Sequence, residues 1–76
     1  MRADVYADFV ATRIEGPLLF LKRTLNVGIN EAVDVVYAQV NARLGRIAAL
    51  SHESLTVEVL ESSSGLDLDN TRVRFR

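Results

Sequence analysis

Two stretches of strict alternation constrain the fold of this chain more than anything else in it. In Leu55-Thr56-Val57-Glu58-Val59 every second residue is apolar, and in Arg72-Val73-Arg74-Phe75-Arg76 arginines alternate with Val73 and Phe75. Successive side chains of a strand point to opposite faces, so each run makes one apolar and one polar face only when extended. A helix would scatter the same residues around its axis. Both runs are therefore predicted to be strands. Leu55, Val57, Val59, Val73 and Phe75 face inward, and Arg72, Arg74 and Arg76 lie on the solvated outer face of an edge strand, where cations discourage unwanted pairing.

The rest of the chain breaks into short segments between turn signals. Residues 5–14 read as one strand with Val5, Ala7, Phe9 and Ala11 on one side and Tyr6, Asp8 and Thr12 on the other. Val10 and Ile14 interrupt that pattern, which buries part of both faces. Gly16-Pro17 marks a bend. Leu18-Leu19-Phe20-Leu21 follows as a strand apolar on both faces, closed by Lys22-Arg23 and the loop residues Asn26-Val27-Gly28. Apolar residues in 17–21 either fill the core or exceed it and leave surface for an interface. His52-Glu53-Ser54 and Ser62-Ser63-Ser64-Gly65 are polar turns, and the four glycines at 16, 28, 45 and 65 each fall where a turn is expected.

Residues 31–50 support two readings. Ala32, Val36, Val40, Leu44 and Ala48 recur every fourth position, which is helical spacing. The β-branched Val33, Val35, Val36 and Val40, with Gly45 inside the segment, favour two strands instead. Those would run over 32–37 and 46–51, joined by a connection over 39–45. Periodicity alone does not choose.

Size limits the rest. A chain of 76 residues makes one small domain with a thin core. It has no cysteine and a single histidine, His52, so neither disulfides nor a histidine–thiolate metal site can stabilise it. Association with a partner is the stabiliser left. Nine basic against ten acidic side chains give a net charge of −1, which supplies no general attraction to nucleic acid or anionic lipid. The longest apolar run, 17–21, is far short of the ~20 residues of a membrane helix. Met1-Arg2-Ala3-Asp4 carries charge where a signal peptide has apolar residues, and the lack of cysteine fits a cytoplasmic setting.

No set of residues converges on a reaction. A phosphate loop needs clustered glycines followed by a lysine; the one lysine, Lys22, follows no such cluster. Ser62-Ser63-Ser64-Gly65 could offer hydroxyls and N–H groups to an anion, but serine-rich turns mostly bind nothing. His52 beside Glu53 is the only base near a serine, and neighbours within one turn rarely orient each other. No acidic pair suggests acid–base work. Arg72, Arg74 and Arg76 could track a nucleic-acid backbone, given exposed aromatics to stack bases. Tyr6, Phe9, Phe20, Tyr37 and Phe75 are the only aromatics, and most alternate inward. The expected catalytic, cofactor-binding and metal-binding residues are none, no cofactor is implied, and the chain is not expected to be an enzyme.

Several stretches, in order, resemble the head subunits of rotary ATPases. Ile14-Glu15-Gly16-Pro17-Leu18 resembles their isoleucine-x-glycine-proline step into the second strand, and Asn30-Glu31-Ala32-Val33-Asp34-Val35 their glutamate-led valine strand. Gly45-Arg46-Ile47 matches the entry to the next strand. Ser64-Gly65-Leu66-Asp67-Leu68 with Thr71-Arg72-Val73-Arg74-Phe75 resembles the B subunit of V/A-type ATP synthases more than its A partner. In place of the family's acidic-glycine step before that serine-glycine, this chain has Glu61-Ser62-Ser63. The resemblance implies an all-β fold, a small closed β-barrel of about six strands. It makes 1–76 a single barrel domain, without the nucleotide-binding and C-terminal domains, and favours two strands in 31–50. It implies the crown domain of a regulatory, non-catalytic subunit in a complex that couples ATP synthesis or hydrolysis to ion transport. The implied partners are neighbouring A-type and B-type head subunits in a hexameric ring, with membrane contact only through the whole complex. The implied location is cytoplasmic and peripheral to the membrane, with no direct nucleic acid contact. The alternative is a small-barrel binding module for single-stranded nucleic acid or a peptide.

Overall fold

In the computed structural model, residues 8–23, 27–38, 41–61 and 65–75 are described. They form seven strands: β1 Asp8–Val10, β2 Arg13–Glu15, β3 Leu18–Lys22, β4 Ala32–Tyr37, β5 Asn41–Leu50, β6 Ser54–Val59 and β7 Thr71–Phe75. All belong to one sheet in the order β1-β7-β4-β5-β6-β3-β2, and every pairing is antiparallel. No helix occurs among the described residues, which rules out the helical reading of 31–50.

The alternating runs behave as their patterns require. Leu55, Val57 and Val59 are buried on β6, and Val73 and Phe75 on β7. With Leu19, Leu21, Val33, Val35 and Ile47 they form one core. Leu19 and Leu21 fill it from β3, while Leu18 and Phe20 are half-buried outside the core cluster, so the 17–21 run is divided between the core and the outer face.

Four expectations need correction. β7 is not an edge strand: it lies between β1 and β4 and pairs with both. The strand read over 5–14 is two, β1 and β2, because the chain turns at Ala11 and Thr12 to serve different neighbours. Phe9 packs against the core and Ala11 is buried, as the alternation implied, while Val10 is 54% exposed; Val5, Tyr6 and Ala7 lie outside the described residues. The connection placed over 39–45 is mostly strand, since β5 begins at Asn41 and runs ten residues. Finally, Gly45 is no turn. It sits inside β5, opposite Val33 on one side and Val59 on the other.

Gly45 is where β5 changes partners. Its first half pairs with β4 and its second with β6, and between Ile47 and Ala49 the register to β6 slips by one residue, a bulge at Ala48. A Cβ on Gly45 would stand 3.1 Å from methyls of both Val35 and Val57 and 3.2 Å from the Glu58 carbonyl oxygen. A side chain there would have to push Val35, Val57 or the β6 backbone aside by a few tenths of an ångström.

The expected closed ring of about six strands is here an open sheet of seven. No ladder joins β1 to β2 among the described residues. Yet these two end strands are consecutive in the chain, so the sheet must curl until its ends nearly meet. Ala11, 4% exposed and part of the core, lies between them in the chain, and Thr12 donates from both its N–H and its Oγ1 to the Phe20 carbonyl, at 2.7 and 3.0 Å. Gly16, at φ +56, and Pro17 turn β2 into β3 in two residues. A positive then a negative φ is the sign pattern of a type II′ hairpin, whose first central position favours glycine.

Candidate functional site

The sequence candidates do not converge. Ser62, Ser63 and Ser64 lie outside the described residues. Gly65, at φ +85, opens a loop that spends its polar groups on itself. The Asp67 carboxylate accepts from the N–H groups of Asp69 and Asn70 at 2.9 and 2.8 Å, an Asx turn. Asp67 N–H in turn donates to Asn70 Oδ1 and to the buried Thr71 Oγ1, and Thr71 Oγ1 donates to Asn70 Oδ1 at 2.7 Å. These groups hold the entry to β7.

His52 and Glu53 sit exposed in the turn between β5 and β6. Ser51 and Ser54 bridge that turn through their hydroxyls at 2.8 Å, and Arg23 donates from its backbone N–H to the Glu53 carbonyl and from Nη1 to the Ser51 carbonyl, both at 2.9 Å. A shallow groove of about 520 Å³ runs past Thr12, Leu21, Lys22 and this turn. The interactions here tie loop to loop, and no base is aimed at a serine. Lys22 ends β3 and follows no glycine cluster. Among the described residues no group of three His, Cys, Asp or Glu side chains could hold a metal ion.

The basic strand does not build a nucleic-acid surface either. Arg74 stands in register with Asp34 on β4, so an acid lies beside this basic position. Arg72 is half-buried and its Nη1 donates to the carbonyls of Leu68, Asp69 and Thr71 at 2.8–3.4 Å. Arg76 and Tyr6 lie outside the described residues. The aromatic faces that a base would stack on are occupied. Phe9 and Phe75 pack edge to face at 5.2 Å, Arg13 lies 4.3 Å over Phe20, and Arg43 lies 4.2 Å over Tyr37 while donating to its hydroxyl.

Exposed apolar side chains stand out instead. Leu44 and Leu60 are 41% and 49% exposed, and Val10, Leu68 and Ile29 are comparable. Leu44 and Leu60 are cross-strand neighbours on the outer face, since Leu60 N–H donates to the Leu44 carbonyl at 2.9 Å one step beyond the Gly45–Val59 pair. The Glu61 carboxylate accepts from Leu44 N–H beside them. Next along the same face, Arg46 holds Glu58 at 2.7 Å and Asn30 Oδ1 at 2.6 Å. Sequence reasoning looked for surplus apolar surface in 17–21 and missed this pair. The signal was present: Leu60 follows Val59 and so breaks the alternation of its strand, and Leu44 sits between two arginines at 43 and 46.

Comparison with known proteins gives this surface a context. Residues 11–76 match the β-barrel domain of the ATP synthase alpha/beta family. The V-type ATP synthase beta chain of Halothermothrix orenii is 36% identical over 62 residues, 82% of this chain and 13% of that protein. The B subunit of the A-type ATP synthase of Methanosarcina acetivorans is 38% identical over 58 residues, 76% of this chain and 13% of the relative. The V-type ATP synthase beta chain 2 of Clostridium tetani is 32% identical over 63 residues, 83% and 14% of the two chains. The chain thus spans about one-seventh of the length of these relatives.

Proposed function

Given that the chain belongs to the ATP synthase alpha/beta family, in the stretch that forms its β-barrel domain, we propose that it is a structural assembly module of the B-type head subunit in a V/A-type ATP synthase. On this reading the barrel forms part of a crown, packing against A-type and B-type head subunits in a hexameric ring. It takes no part in chemistry. The subunit is regulatory and non-catalytic, and ATP synthesis or hydrolysis coupled to ion transport belongs to the whole complex. Nucleotide-binding and C-terminal domains would lie outside residues 1–76, and contact with the membrane would come only through the complex, at its cytoplasmic face.

The observation that carries this reading is the match of residues 11–76 to the barrel domain alone, with relatives named as V-type beta chains and A-type B subunits. The described residues fit it: many of their polar groups serve turns, loops or cross-strand pairs, while Leu44 and Leu60 stand exposed on the sheet. No helix of the described residues is long and apolar enough to cross a membrane.

Exchange of barrels tests the proposal. Grafted in place of the barrel of a related B-type subunit, residues 1–76 should support assembly of a head complex with A-type subunits, seen as a high-mass species in size exclusion. A chimera that folds and binds nucleotide but never enters that species would refute the assembly role.

A further inference from the structure

We draw no further inference here: the strongest candidate, the exposed Leu44–Leu60 pair on the outer face of β5 and β6 with the Glu61 carboxylate beside it, carries nothing more, because nothing in the structure shows what covers it and its packing on a neighbouring subunit belongs to the assembly role already proposed.

Discussion

At the scale of single residues, Gly45 and Glu58 carry different kinds of constraint. Gly45 has no room: a Cβ there meets Val35, Val57 and the Glu58 backbone at 3.1–3.2 Å. Gly45→Ala should therefore lower stability by about 1–3 kcal/mol through overpacking, read as a fall in the urea midpoint with unchanged slope. No loss of stability would mean the sheet is not closed over the core at that point. Val57 is fully buried, so Val57→Asp should leave the chain unfolded, because a lone charge in so thin a core exceeds what a small domain can spare. Glu58, one residue on, is partly exposed and paired with Arg46. Glu58→Lys turns that pair into a like-charge contact and should cost less than about 1 kcal/mol. Equal tolerance of the two changes would contradict the facing of β6. The facing of Val57 and Glu58 was legible from alternation alone. The crowding at Gly45 was not, because it depends on the neighbouring strands β4 and β6 on both sides.

At the scale of elements, β5 shows why part of the fold could not be read. The fourfold recurrence of Ala32, Val36, Leu44 and Ala48 looked helical, yet four is also twice two. Ala32, Val36 and Leu44 instead share the parity of one strand face, on which Ala32 and Leu44 are exposed and Val36 is buried. Strand alternation and helical spacing are degenerate for such a pattern, and only the β-branched residues and Gly45 told against a helix. The bulge at Ala48 and the change of partner at Gly45 hid the length of β5 further. The β4–β5 hairpin carries its own strain. Ala38 has φ +53, a conformation that costs residues with a Cβ about 1 kcal/mol. Ala38→Gly should thus stabilise the domain by about 0.5 kcal/mol after the added freedom of the unfolded chain is counted, seen as a rise of a few degrees in Tm. A lower Tm would show that Ala38 is not held in that conformation.

At the scale of the whole molecule, many of the described polar groups hold loops or pair across the sheet, while the sheet leaves leucines outside. The all-β class was legible in the short alternating runs and their turn signals. Seven strands in an open sheet were not, because the split of residues 8–15 at Ala11 and Thr12 depends on which neighbour each half meets around the curl. Circular dichroism should accordingly show a β spectrum, and calorimetry with ATP and magnesium should show no specific heat at micromolar concentrations.

Whether the barrel serves assembly is decided most directly by the mass of a head complex. Native mass spectrometry of A-type subunits with a B-type subunit carrying this barrel should give the complete ring. The same B-type subunit without residues 1–76 should still bind nucleotide but give mostly smaller species at equal concentration. Rings that persist unchanged after the barrel is removed would contradict the account.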